Sequence, residues 1–218
     1  MKTIEQIDLY RYNCNDRIDP SSPHYYEACI PSDFWNLRAE HIEGNRKVFY
    51  KYIQPYCDNL KIALSHGYGL FLIGDNGCGK TTFLSYILGC AISYKCSAYY
   101  TTILDLDYNL KSGMNDPSVR KRLEQMLSSD FLAIDEIQKE QYKDGDSWIR
   151  TQLERILKNR HDNSLPTLLA SNKILDDEYG ATITSLLSGK YEEIILEPID
   201  HRPRLKKVMR KNMYNINE

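Results

Sequence analysis

The chain has 218 residues, 42% hydrophobic and 27% charged, with a formal net charge of −2. This is the composition of one soluble globular domain with a real core, and it does not announce a nucleic-acid binder. No apolar run reaches the length of a membrane span, and the N-terminus lacks the apolar stretch of a signal peptide, so the expected location is cytoplasmic, with no membrane partner.

Residues 1–28 are polar, rich in Asn, Asp, Pro and Ser, with little periodicity. They read as an N-terminal extension (1–29) ahead of one domain over 30–218. Residues 44–65 carry a helical apolar pattern (Val48, Phe49, Tyr52, Ile53, then Leu60, Ile62, Ala63) that Pro55 must break or kink. Gly69 to Ile73 reads as a buried strand. Thr82 to Lys95 reads as a helix, with Phe83, Leu84, Ile87, Leu88, Ala91 and Ile92 on its stripe. Ala98 to Thr101 is a second strand, followed by helices over Ile103 to Lys111 and Ser118 to Leu127 around a Gly113–Pro117 break. Phe131 to Glu136 is an apolar strand ending in two acids, and 147–160 a helix with Ile149, Leu153, Ile156 and Leu157 on one face. Thr167 to Asn172 and Glu193 to Leu196 complete five strands. Strands alternating with helices argue a parallel α/β sheet flanked by helices, with ligands at the carboxyl ends of the strands. Residues 201–211, HRPRLKKVMRK, hold six Lys/Arg and no acid, a basic C-terminal helix.

Between the first strand and its helix lies Gly74-Asp75-Asn76-Gly77-Cys78-Gly79-Lys80-Thr81, which fills every fixed position of G-x-x-x-x-G-K-[ST]. Its glycines let backbone N–H groups curl around a triphosphate at a helix N-terminus, where the dipole favours an anion. The expected ligands are ATP and Mg²⁺. Lys80 reaches the β- and γ-phosphates, the Thr81 hydroxyl binds the metal, and Thr82 continues the phosphate-facing turn. The strand ending Asp135-Glu136 supplies the second half. Asp135 sits beside Mg²⁺ and orients a metal-bound water, and Glu136 polarises the attacking water. Asn172, at the end of the next strand, is placed to contact the γ-phosphate and that water. Asp-Glu followed by a Ser-Asn strand end suits water activation better than binding of a kinase acceptor. The expected activity is therefore ATP hydrolysis to ADP and phosphate.

Six cysteines (Cys14, Cys29, Cys57, Cys78, Cys90, Cys96) form no C-x-x-C pair and read as reduced thiols. Cys14, His24, Cys29 and His41 are zinc-ligating residue types, but their spacing fits no standard knuckle. Cys78, inside the phosphate loop, is expected, where accessible in the free protein, to block ATP binding when alkylated and to be protected by ATP.

From Ile30 onward the order of features resembles the AAA+ domain of bacterial replicative helicase loaders of the DnaC/DnaI type, and the related IstB transposition ATPases. The matching pieces are Ile30-Pro31-Ser32-Asp33-Phe34, the loop 74–81 and Ser129 to Ile137. They also include Ile156-Leu157-Lys158-Asn159-Arg160 with Leu165-Pro166-Thr167 and the strand to Asn172. The resemblance implies a P-loop NTPase of the AAA+ ASCE type with little or no separate lid domain. It implies an ATP switch that docks on the hexameric replicative helicase and helps load it onto single-stranded DNA. Lys111, Arg120, Lys121 and Arg122 fall where the family contacts the strand. Arg202 matches a C-terminal arginine that touches phosphate in cis, with Arg204 as a near alternative.

Two departures stand out. Leu186 stands where the family carries the arginine that acts on a neighbouring subunit's ATP in a homo-oligomer. An arginine finger is worth roughly 10³–10⁵ in rate, so hydrolysis by the chain alone is expected to be slow. In place of the family's N-terminal helicase-binding domain, docking is expected to use a short arm around Ile4, Ile7, Leu9 and Tyr10, or another surface. The competing readings are an ATP-binding adaptor or inhibitor of a helicase or initiator with weak hydrolysis, and an IstB-like transposition ATPase.

Overall fold

The computed structural model describes residues 23–35, 37–137, 147–173, 180–200 and 202–214. Five parallel strands form one sheet: β1 (Gly69–Ile73), β2 (Ala98–Thr102), β3 (Phe131–Asp135), β4 (Thr167–Ser171) and β5 (Tyr191–Ile195), in the order β2-β3-β4-β1-β5. β1, β3 and β4 are buried at every position, which is why they read as unbroken apolar runs rather than alternating ones.

Two core clusters fill the two faces, and the first also draws on the short helices α1 (Pro23–Glu27), α2 (Arg46–Val48), α3 (Gln54–Asp58) and α4 (Leu60–His66). One packs α5 (Lys80–Ser93) and the segment before the sheet onto Leu70, Leu72, Ala133, Leu168 and Ala170. The other packs α6 (Ile103–Ser112), α8 (Ser147–Asp162) and α9 (Gly180–Lys190) onto Phe71, Ile73, Leu132, Ile134 and Leu169. Alternate residues of each strand serve opposite faces, as the pleat requires. α5 buries Phe83, Leu84, Ile87, Leu88 and Ala91, and fully burying such a large apolar side chain contributes about 1.5–3 kcal/mol.

The element before the sheet shows what Pro55 does. The helical stretch runs as Arg46–Val48, then a π-helical turn over Phe49–Ile53, then Gln54–Asp58. Proline has no N–H to give, and the widened turn before it accommodates the missing bond. The path breaks again at Asn59, whose Nδ2 donates to the Pro55 carbonyl at 2.8 Å, before the helix Leu60–His66.

The packed body extends further toward the N-terminus than the expected boundary at 29/30. Tyr25 and Ala28 are in the core, and Tyr100 N donates to the Ala28 carbonyl at 2.8 Å. The arm around Ile4, Ile7, Leu9 and Tyr10 lies outside the described residues. No helix of the described residues is long and apolar enough to cross a membrane.

Candidate functional site

β4 lies between β1 and β3, so three carboxyl ends converge: the loop after β1, Asp135 at the end of β3 and Asn172 just past β4. The loop enters α5 through Gly77 and Gly79 at φ +84° and +102°, a region that side-chain-bearing residues rarely occupy. A Cβ on Gly77 would also fall 2.0 Å from Asp200 Oδ1. Asp200, in the segment joining β5 to the C-terminal helix (Arg202–Tyr214), therefore lies against the loop.

Lys80 is buried at the start of α5. Its ammonium donates to the carbonyls of Gly74 at 2.6 Å and Asp75 at 2.8 Å, both within the loop. Thr81 Oγ1 donates to Asp135 Oδ2 at 2.6 Å. Asp135 is 1% exposed and its charge is met by three donors: Thr81, the Tyr100 hydroxyl on the same Oδ2 at 2.9 Å, and the Glu136 N–H on Oδ1 at 2.7 Å. Burial, then the Asp135 carboxylate, pushes the Tyr100 phenol far above its ordinary range, so it serves as a neutral donor. Asn172 Nδ2 donates to Asn76 Oδ1 at 2.8 Å, linking the β4 end to the loop. Asp75 and Asn76 are exposed, and Thr82 is half-buried in the first turn of α5.

Sequence reasoning missed three residues. Tyr100 sits on β2 opposite Ala133, two residues before Asp135 on the neighbouring strand, within reach of a long ring. With Tyr99, Thr101 and Thr102 beside it, nothing in the strand's own sequence singles out Tyr100. Asn45 is buried, with φ 49°. Its Nδ2 donates to the Cys78 carbonyl at 3.0 Å and the Glu197 carbonyl at 3.2 Å, and its Oδ1 accepts from Glu197 N at 2.8 Å. One amide thus fastens the loop to the segment after β5. Asp200 is the third. Neither Asn45 nor Asp200 carries a local pattern that would announce it.

Other expected residues fall differently. Cys78 is 1% exposed with its thiol in the core, and burial raises its pKa, so it lends the loop its backbone while the thiol is shielded from alkylating reagents. Two of the four expected strand-contacting cations are engaged within the chain. Arg120 donates to the Gly113 and Met114 carbonyls at 3.1 and 3.0 Å, pinning the turn between α6 and α7 (Pro117–Ser128). Lys111 pairs with Asp107 at 2.8 Å and stacks over Trp148. Lys121 and Arg122 are exposed on α7. Leu186 lies on α9, packed against the core cluster of that face. The helix containing Arg202 begins at that residue, and the side chains of Arg202 and Arg204 lie outside the described residues. Among the described residues no His, Cys, Asp or Glu cluster is arranged to hold a metal ion. Cys14 is outside them, and the Cys29 thiol donates to the Tyr99 hydroxyl at 3.2 Å.

A family profile described as "IstB-like ATP binding protein" matches residues 64–202. The replicative helicase loader DnaI of Bacillus subtilis (strain 168) is 28% identical over 129 residues, 59% of this chain, and the chain spans only 40% of that protein. Three solved structures share the fold. The DnaC helicase loader superposes with a TM-score of 0.66 at 21% identity, over 77% of this chain and 100% of that one. DnaI does so with 0.63 at 20%, over 77% and 94%. The replication initiator DnaA bound to AMPPCP and single-stranded DNA gives 0.59 at 18%, over 86% and 57%. The architecture is that of AAA+ P-loop ATPases: a parallel five-stranded sheet with flanking helices.

Proposed function

This chain belongs to the IstB-like ATP-binding family, and from that premise we propose that it is an ATP-hydrolysing DNA replication protein that docks on a hexameric replicative helicase and helps load it onto single-stranded DNA. The observation that carries the ATP half is the 2.6 Å bond from Thr81 to Asp135, which joins the phosphate loop to the acidic strand end. The likeness to a replicative helicase loader over 129 residues carries the other half.

The residues fit the ligands. Two positive-φ glycines open the loop at the N-terminus of a 14-residue helix. The hard oxygens of Thr81 and Asp135 suit Mg²⁺, which supplies charge neutralisation for phosphate oxygens when bound. Lys80 exchanges its two loop carbonyls for β- and γ-phosphate oxygens, a trade of weak acceptors for charged ones. Glu136 takes the role of general base toward water. Asn172 gives up Asn76 to reach the γ-phosphate and that water. Arg202 is assigned the cis phosphate contact. Lys121 and Arg122 carry the contact to single-stranded DNA, since Arg120 and Lys111 have partners within the chain.

Leu186 favours a second reading. An apolar side chain packed on the core cannot act on a neighbour's phosphate, so slow hydrolysis and an adaptor or inhibitor role on the helicase follow.

The test is capture from the native host with Glu136→Gln, which should hold ATP without hydrolysing it. Recovery of the replicative helicase, lost with Lys80→Ala, is the expected result. Recovery of a transposase instead, or of no replication protein, overturns the helicase assignment.

A further inference from the structure

We propose that Tyr100 is a positioning residue for the metal side of this site: its hydroxyl fixes the Asp135 carboxylate so that Thr81 presents its oxygen lone pairs to Mg²⁺. The inference rests on the ATP- and Mg²⁺-binding reading above and adds to it a residue that lies outside every motif.

The argument starts from one oxygen. Asp135 Oδ2 accepts both Thr81 Oγ1 at 2.6 Å and the Tyr100 hydroxyl at 2.9 Å. A hydroxyl that gives its single proton to a carboxylate has its lone pairs turned away from it. Where Asp135 Oδ2 sits therefore decides where the Thr81 lone pairs point. The Glu136 N–H holds only the other oxygen, Oδ1. Tyr100 alone, among these donors, approaches Oδ2 from a strand rather than from the nucleotide loop.

Tyr100 is itself held in place. Its N–H is bound by the Ala28 carbonyl at 2.8 Å, its ring is buried, and β2 pairs it with Ala133 in parallel register. When Thr81 turns its oxygen to a metal, the phenol remains as a fixed second donor. A Phe at this position keeps the ring and its packing and removes only that donor.

The experiment is calorimetric titration of ATP into the full chain, in EDTA and across a series of Mg²⁺ concentrations, for the wild type and Tyr100→Phe. In EDTA the two are expected to bind ATP alike. In Mg²⁺ the variant is expected to need about tenfold more metal for half its effect, the scale of one hydrogen bond to a charged group. In an Asp135→Ala background, Tyr100→Phe is expected to add nothing, because the carboxylate it positions is gone. An unchanged Mg²⁺ midpoint overturns the proposal. So does an equal loss of ATP affinity with and without metal, which marks the hydroxyl as structural, or a Tyr100 effect that survives Asp135→Ala. A wild type that binds no ATP in either condition overturns the ATP reading itself, a result distinct from all of these.

Discussion

Two cations are buried at opposite ends of the same sheet, and they are held in opposite ways. At the amino end Arg160 is 1% exposed. Its five N–H donors meet Thr167 Oγ1 and the carbonyls of Leu127, Ser129, Asp130 and Pro166. Those acceptors are the starts of β3 and β4 and the end of α7. At the carboxyl end Lys80 leans on two carbonyls of its own loop. Arg160 is a completed joint, which ties α8 to two strands with no donor left over. Burial draws its pKa down to about 10, partly offset by the nearby Tyr191 and Asp130 groups, which still leaves it charged at neutral pH. Lys80 is a provisional arrangement whose partners are worth less than phosphate. The contrast separates a cation that builds the domain from one that is available to a ligand.

The largest expected effect breaks the completed joint. Arg160→Ala orphans a ring of buried carbonyls and should lose about 3–5 kcal/mol in urea unfolding. Arg160→Lys keeps the charge but offers three donors for five acceptors, and should lose less. Next is the amide that fastens loop to linker. Asn45→Gly keeps the left-handed backbone and removes the side chain, so it should lose about 2 kcal/mol and weaken ATP binding together. Unchanged ATP affinity in that variant would separate the loop from the linker. The smallest effect on the fold sharpens the contrast from the other side. Lys80→Ala should shift unfolding by no more than about 1 kcal/mol, yet abolish the rise in melting temperature that ATP gives the wild type. A large loss of stability there would make Lys80 a structural cation like Arg160.

Much of this architecture was legible in the sequence because burial on both faces leaves strands such as Phe131-Leu132-Ala133-Ile134 unbroken. Gly, Lys and Thr at fixed spacing likewise mark where the chain wraps an anion. The helix Gly180–Lys190 was not legible. Gly, Thr and Ser dominate it, and only the burial of Ile183 and Leu187, one helical turn apart, shows why it forms. The candidate site was half readable. Lys80 and Thr81 open the helix after the glycine loop, and Asp135 and Asn172 lie at strand ends, where motif spacing and strand order locate them. Tyr100 and Asn45 enter through the pairing of β2 with β3 and through a contact spanning 152 positions to Glu197, and neither exists until the chain has folded. Cys78 shows what spacing alone leaves open. Its place in the loop motif offers an alkylation test only where the thiol is accessible, and here its side chain turns inward to the core.

Glu136 has a left-handed backbone, φ 59°, in a chain that turns sharply after Asp135 and is recaptured at once by the Ile137 N–H on Ala170, 2.9 Å away. That conformation costs a residue with a Cβ about 1–2 kcal/mol. Asparagine tolerates it far better. Glu136→Asn should therefore relieve that backbone strain, and on the role proposed above it removes the carboxylate that activates water, which thermal melting and an ATP-turnover assay check separately. On the proposed role, the turn that aims this carboxylate at water is also a strained one, so folding and function ask for different residues at a single position.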